Sequence, residues 1–172
     1  MSFLSRFKAI KIFIFDMDGV LTDGSLVVTE NDWIRSMFVR DGYAIQYAVK
    51  MGFHIAIISG SDSPAVSQRL KKLGVKDVFM NVKDKASFLK SYAADKNFML
   101  DEILFMGDDV PDYSCMKVVG FAACPADAIP EIKSIADYIS PYAGGKGCVR
   151  DVIEKVLKLN NKWSVETSVT ST

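Results

Sequence analysis

The chain has 172 residues, of which 49% are hydrophobic and 24% are charged. This composition suits one compact domain with a substantial core and excludes a disordered or fibrous protein. Lysine and arginine number 21 together, as do aspartate and glutamate, so the net charge of zero gives no electrostatic basis for binding nucleic acid or an anionic membrane. No apolar run reaches transmembrane length.

The cysteines and the N-terminal residues indicate the cellular compartment in which we expect the protein. Cys115, Cys124 and Cys148 are odd in number and widely spaced, which favours reduced thiols over a disulfide framework or a zinc site. Basic residues interrupt the apolar positions of 1–15, so this segment lacks the continuous core of a signal peptide. We therefore expect a cytoplasmic protein whose partners include neither nucleic acid nor a membrane.

Short apolar runs alternate with helical patterns along the chain. The runs predict strands at 12–15, 55–58, 103–106 and 121–123. Capping residues and apolar spacing predict helices at 41–52, at 63–74, after Asp84, from Pro111, at 129–135 and at 149–159. This alternation predicts an α/β fold with a doubly wound, Rossmann-like parallel sheet. We expect one domain over 1–159 and a flexible, polar tail over 160–172.

The segment 25–40 separates the first strand from the first helix. Its β-prone runs at 26–29 and 33–39 predict a β-hairpin that turns at 30–32. Trp33, Ile34, Met37 and Phe38 are more apolar surface than a lone two-stranded ribbon leaves in water. The hairpin is therefore expected either to contact another subunit or to pack on its own domain.

Acidic residues follow two of the predicted strands. Asp16 and Asp18 come after the first strand, and Asp108, Asp109 and Asp112 come after the third. The carboxyl ends of parallel strands border the ligand crevice, so the two groups can converge on one cation. Mg²⁺ prefers oxygen ligands, whereas zinc would find a single histidine and scattered cysteines. The sequence thus predicts a Mg²⁺ site.

Between these groups, a second strand ends in Ser59-Gly60, where a hydroxyl and backbone N–H groups can hold phosphate oxygens. Lys85 offers a positive charge further along the chain. Taken alone, Ser59 could be a turn cap and Lys85 a solvated surface residue. Together with the carboxylates they make up the parts needed for phosphoryl transfer.

In this order, D-x-D-G-V-L-T-D-G from Asp16, Ser59-Gly60, Lys85 and G-D-D-x-x-D from Gly107 resemble the four motifs of the haloacid dehalogenase superfamily. The resemblance spans nearly the whole chain, which has no room for a large cap domain. The R-D-G-Y run from Arg40 and the A-G-G-K-G-C-V-R run from Ala143 are similar to those of the 3-deoxy-D-manno-octulosonate 8-phosphate phosphatases. Close relatives of that family act on a nine-carbon sugar acid phosphate.

The resemblance implies an aspartyl-phosphate mechanism. Asp16 would attack phosphorus, while Asp18 would protonate the departing sugar oxygen and later activate water. Mg²⁺ would bind the Asp16 carboxylate, the Asp18 main-chain carbonyl and Asp108, with Asp109 or Asp112 close by. Ser59, Gly60 and Lys85 would hold the phosphate.

The resemblance also implies substrate contacts and an assembly. Arg69 is a candidate for the sugar carboxylate, since an arginine fork matches a carboxylate, although a surface role is equally open. Arg150 becomes a candidate because the glycine-rich stretch and the C-terminal tail close over a neighbouring subunit's site in the family. The family precedent is a homotetramer with its hairpins at the centre.

Two alternatives stay open at this stage. Ser61-Asp62-Ser63 stands where family members commonly carry a charged residue that helps select the sugar, so the nine-carbon substrate competes with the eight-carbon one. A phospho-accepting receiver module uses similar parts on a similar sheet. The order of the motifs argues against the receiver, because a D-x-D comes first here and the acidic cluster comes late.

Overall fold

A computed structural model describes residues 3–30 and 32–164. Its strands are β1 Ile12–Phe15, β2 Val27–Val28, β3 Trp33–Ile34, β4 His54–Ile58, β5 Asp77–Phe79, β6 Ile103–Met106, β7 Phe121–Cys124 and β8 Tyr138–Ile139. Six of them form one parallel sheet in the order β5-β4-β1-β6-β7-β8, and β2 pairs with β3 in a separate antiparallel hairpin. The predicted α/β fold and its hairpin insertion are confirmed.

Helices cover both faces of the sheet. They are α1 Phe3–Lys8, α2 Val39–Lys50, α3 Pro64–Lys72, α4 Lys85–Asp95, α5 Tyr113–Met116, α6 Pro130–Ile135 and α7 Cys148–Leu159. Within 3–30 and 32–164, none of these helices is long and apolar enough to cross a membrane. The sequence did not predict α1, β5 or β8, because they are short elements whose few residues carry no periodicity of their own.

Alternation along the strands divides the core into two layers. Phe13 and Phe15 of β1 belong to the layer formed with α1, α2, α3 and α7, whereas Ile12 and Ile14 belong to the layer formed with α4, α5 and α6. All four side chains are fully buried. Because both faces of β1 are covered, its polar residues can appear only where the strand ends, and that end lies between β4 and β6.

The hairpin is shorter than predicted. Its second strand was expected over 33–39, but β3 ends at Ile34 and α2 already begins at Val39. An antiparallel bridge between Thr22 and Met37 holds the base of the hairpin, and Met37 packs against the core. The segment before α2 therefore packs on its own domain, whereas β2 and β3 are exposed.

Asp41 has a different role from the one its position in the sequence indicated. It was expected to cap α2, but it lies inside the first turn of that helix. Its carboxylate instead accepts hydrogen bonds from the backbone N–H groups of Gly147, at 3.2 Å, and Arg150, at 2.7 Å. Asp41 thus satisfies free N–H groups at the start of α7 and ties the two helices together.

The beginning of the predicted tail continues from α7. Trp163 packs against Tyr47, with 4.8 Å between the ring centroids, and the backbone N–H of Ser164 donates to the Tyr47 hydroxyl. The rest of the predicted tail, 165–172, lies outside the residues that the structure describes. Its flexibility therefore stays a prediction.

Candidate active site

The first acidic pair lies where β1 ends. The backbone N–H of Asp16 still donates to the Met106 carbonyl at 3.0 Å, and the chain then enters an irregular turn over Met17–Leu21. Within this turn Gly19 has a φ of 86°, and a Cβ there would lie 2.0 Å from Asp108 Oδ2. Only glycine accepts both the backbone conformation and the neighbour, which explains the glycine after D-x-D.

Lys85 joins the two acidic groups. It is the first residue of α4, directly after the capping residue Asp84. Its Nζ donates to Asp16 Oδ1 and to Asp112 Oδ1, each at 2.7 Å. The side chains are almost completely buried, with exposed fractions of 5% for Lys85, 9% for Asp16 and 1% for Asp112. A buried ammonium between two carboxylates is therefore part of the interior of the site.

Three carboxylates meet in a cluster suited to a cation. Asp16, Asp108 and Asp112 each offer an oxygen, and these oxygens lie within 4.8 Å of one another. Asp108 Oδ1 is buried and has no hydrogen-bond partner among the residues that the structure describes. A buried acceptor without a donor is costly unless a cation satisfies it. This all-oxygen set fits a hard divalent ion such as Mg²⁺.

Asp109 lies beside this cluster but takes no part in it. Its side chain accepts from the backbone N–H of Val110 at 2.7 Å and caps the short helical turn Val110–Asp112. Asp112 holds the third position instead, and its Oδ2 also accepts from the backbone N–H of Asp108. A role for Asp109 close to the metal stays a prediction.

Burial, together with neighbouring negative charge, raises the pKa of the carboxyl groups in this cluster, and for Asp112 burial is the cause. Burial, with a contribution from Asp112, raises the pKa of Asp16 to about 7 although Lys85 opposes the shift. Burial and Asp112 also raise the pKa of Asp108 to about 8. For Lys85, burial would lower the pKa, but Asp112 and Asp16 outweigh it and raise the pKa above its ordinary value. The lysine thus stays charged.

These shifts predict how stability depends on pH without a divalent cation. Between about pH 4 and pH 8 the folded chain holds protons on Asp16 and Asp108 that the unfolded chain has released. The free energy of unfolding must then fall as the pH rises through this range. We expect a fall of at least about 2 kcal/mol in denaturant titrations in EDTA, because the two shifts amount to several pKa units, each corresponding to about 1.4 kcal/mol before solvent screening reduces the total.

The variant Asp108→Asn serves as the control for this prediction. It should flatten the pH dependence, and it should weaken the gain in stability that Mg²⁺ gives the unmodified chain at pH 8. A metal-free chain that becomes more stable from pH 5 to pH 8 would contradict the expected charge repulsion.

Ser59 and Gly60 lie at the same edge of the sheet, at the end of β4. Ser59 is buried, and its Oγ accepts from the backbone N–H of Ser61 at 3.1 Å. Together with the acidic residues they border a cavity of about 300 Å³. The cavity is lined by Asp16, Asp18, Gly24, Ser59, Gly60, Ser61, Lys85, Asp108, Asp109, Pro111 and Asp112. Phosphate-sized groups can enter beside Asp16.

Asp18 also lines the cavity, but its carboxylate pairs with Arg35 and is not one of the three that meet in the cluster. Arg35, which follows β3, donates from Nε to Asp18 Oδ1 at 2.7 Å and from Nη2 to Asp18 Oδ2 at 3.0 Å. Although burial alone would raise it, these bonds from Arg35, with one from Ser61, lower the pKa of Asp18. The sequence analysis missed Arg35, whose only signal was a basic residue inside the β-prone run of the hairpin.

The two arginines predicted to bind substrate lie outside this cavity. Arg69 is half-buried on α3, where its Nη2 lies 3.5 Å from the position that a Cβ on Gly42 would take. The Arg150 guanidinium is 5.3 Å from the ring centroid of Trp163, and its Nε donates to Glu154 at 3.1 Å. A contact with substrate stays a prediction for both.

The glycine-rich loop before α7 packs against the turn that follows β1. A Cβ on Gly144 would lie 1.9 Å from the Gly19 carbonyl oxygen. The backbone N–H of Gly145 donates to the Val20 carbonyl at 2.9 Å, and the Cys148 thiol lies 3.3 Å from the same oxygen. The loop is therefore in backbone contact with the turn that carries Asp18, an arrangement that side chains would prevent.

Comparisons with known proteins agree with this geometry. Residues 77–153 match the model of the haloacid dehalogenase-like hydrolases, the class that the doubly wound sheet and its acidic strand ends define. The 3-deoxy-D-manno-octulosonate 8-phosphate phosphatase of Escherichia coli K12 is 31% identical over 160 residues, which cover 92% of this chain and 85% of that protein. The Haemophilus influenzae enzyme is 32% identical, with coverages of 93% and 89%.

A solved structure of the same kind of phosphatase is also similar to this chain. The Moraxella catarrhalis 3-deoxy-D-manno-octulosonate 8-phosphate phosphatase, in complex with a magnesium ion, phosphate and the sugar acid, has a TM-score of 0.89 at 31% identity, covering 93% of each chain. The chain belongs to the 3-deoxy-D-manno-octulosonate 8-phosphate phosphatase family.

Proposed function

We propose that this chain, as one domain over 1–159, is a Mg²⁺-dependent phosphatase that hydrolyses 3-deoxy-D-manno-octulosonate 8-phosphate to the free sugar acid and phosphate. The observation that carries the proposal is the buried Lys85 bridge between Asp16 and Asp112, next to Asp108 and at the edge of the cavity. Similarity to the family over nearly the whole chain supports the substrate.

Asp16 is the proposed nucleophile. One of its carboxylate oxygens forms a bond to phosphorus as the bond from phosphorus to the sugar oxygen breaks, which gives an aspartyl phosphate. Asp18, which must first take up a proton against the lowering of its pKa by Arg35, gives that proton to the departing oxygen. Lys85, together with Ser59 and the backbone at Gly60, binds the phosphate oxygens, since its ammonium already lies 2.7 Å from Asp16 Oδ1.

The second step releases phosphate. Asp18, now ionised, takes a proton from water as the water oxygen bonds to phosphorus, and the bond between phosphorus and Asp16 breaks. Asp16, Asp108 and the Asp18 carbonyl would hold Mg²⁺, with Asp112 at the third carboxylate position. When bound, the ion neutralises the repulsion between a carboxylate nucleophile and an anionic phosphate.

A substrate panel tests this function. Phosphate release should be fastest from the eight-carbon sugar acid phosphate, slower from its nine-carbon analogues, and abolished by EDTA and restored by Mg²⁺. A preference for a nine-carbon sugar would keep the mechanism and change the substrate. If no phosphate ester is hydrolysed and Asp16 only accumulates phosphate, the chain is a receiver-like module instead.

We further propose a homotetramer assembled through the hairpin, in the cytoplasm. Val27, Val28, Trp33 and Ile34 have exposed fractions between 52% and 68%, a large apolar surface for two short strands. Replacing Val28 and Trp33 with serine should lower the mass measured by light scattering at micromolar concentration. An unmodified chain that is monomeric under these conditions would contradict the assembly.

A further inference from the structure

A buried arginine of the hairpin connects this surface insertion to the proposed proton donor. Arg35 makes two hydrogen bonds to Asp18, one to each carboxylate oxygen. The arginine side chain is only 4% exposed, although the neighbouring strands β2 and β3 are in solvent. Its Nη1 also lies 3.5 Å from the Trp33 carbonyl, so one guanidinium spans from the hairpin backbone to the turn after β1.

The other contacts of Asp18 leave it dependent on this arginine. Asp18 Oδ1 is 3.4 Å from the Thr22 hydroxyl, which is a long contact compared with the 2.7 Å bond from Arg35 Nε. A fork of two N–H donors matches a carboxylate in both distance and orientation, whereas separate hydroxyl groups, here those of Thr22 and Ser61, fix its orientation less well.

We propose that Arg35 is a positioning residue, which holds the Asp18 carboxylate in the orientation needed for proton transfer to and from the reacting oxygen. The inference rests on the proposed function, since it concerns the acid and base of that reaction. Arg35 itself is not among the residues that line the cavity. Through Arg35 the hairpin would contribute to turnover, in addition to its proposed role in assembly.

The dependence of the rate on the leaving group distinguishes this role from others. A sugar alkoxide needs a proton as it departs, whereas the phenolate of p-nitrophenyl phosphate departs without one. We expect Arg35→Met to lower kcat/KM for the sugar phosphate at least about tenfold, and for the aryl phosphate less than about threefold. Arg35→Lys, which keeps the charge but lacks the fork, should recover only part of the loss.

A double-mutant cycle gives a second readout. Because Arg35 acts through Asp18, adding Arg35→Met to Asp18→Asn should lower kcat/KM for the sugar phosphate little beyond Asp18→Asn alone. Glu30→Gln, at the exposed turn of the same hairpin, is the matched control and should leave both substrates unchanged. Thermal melting of each variant checks that it is folded.

Three results would overturn the inference. Equal losses on both substrates would indicate general disruption of the site, and a raised KM with an unchanged kcat would indicate a substrate contact. Additive losses in the cycle would show that Arg35 acts independently of Asp18. If the unmodified chain hydrolyses neither ester, the proposed function fails instead, a result that is separate from the behaviour of the variants.

Discussion

Replacement of Asp16 by asparagine should abolish phosphate release, with a loss of at least about 10⁴-fold, while the chain stays folded. An amide cannot form the acyl phosphate, but it has the same shape and its oxygen can still accept from Lys85. The substitution also removes the buried negative charge of Asp16, which Asp112 repels. We therefore expect a melting temperature in EDTA no lower than that of the unmodified chain.

Both quantities can be measured on the same preparations. Phosphate release reports the chemistry, and differential scanning calorimetry reports the fold. Asp101→Asn, an exposed aspartate next to β6, is the matched control and should have normal activity. Near-normal release by Asp16→Asn would exclude Asp16 as the nucleophile, whatever the stability of the variant.

Replacement of Lys85 by methionine should affect both activity and stability. Methionine fills much of the same volume but leaves Asp16 and Asp112 without the cation that bridges them. Loss of a preorganised donor to the reacting phosphate should lower kcat at least about 10²-fold. Breaking a buried ion pair by removing one partner should lower the free energy of unfolding by about 3–5 kcal/mol at pH 8 in EDTA.

The pH dependence adds a specific signature to this variant. Without Lys85 the pKa of Asp16 should rise above its value of about 7, because Lys85 opposes the shift more strongly than the backbone N–H of Met17 does. The loss of stability should then be smaller at pH 6, where Asp16 is protonated in the folded chain. Lys90→Met, an exposed lysine on the same helix, is the control. Equal stability losses at pH 6 and pH 8 would contradict this interpretation of the bridge.

The local sequence predicted those parts of the fold that depend on short segments. The strands at 12–15 and 103–106 match β1 and β6 residue for residue, because uninterrupted apolar runs bounded by polar residues leave few alternatives. The start of α3 was also predictable, since Ser63 accepts from the backbone N–H of Val66 and Pro64 follows it.

Other features depend on pairings between distant segments. Asp41 was predicted as the cap of its own helix, yet it binds N–H groups more than 100 positions further along the chain. Likewise, nothing local distinguishes Asp109 from Asp112. The short helical turn Val110–Asp112 directs Asp112 towards Lys85 and leaves Asp109 as a cap at the surface.

By itself the sequence determined the class of chemistry, because carboxylates, a hydroxyl and a lysine that follow buried strands in a fixed order must converge at one edge of a parallel sheet. Only the tertiary structure decided which carboxylates share the lysine, which oxygen lacks a donor and which arginine holds Asp18. These depend on side chains that approach within 3 Å from β1, the hairpin, α4 and the turn after β6, and such distances follow from packing rather than from the order of residues.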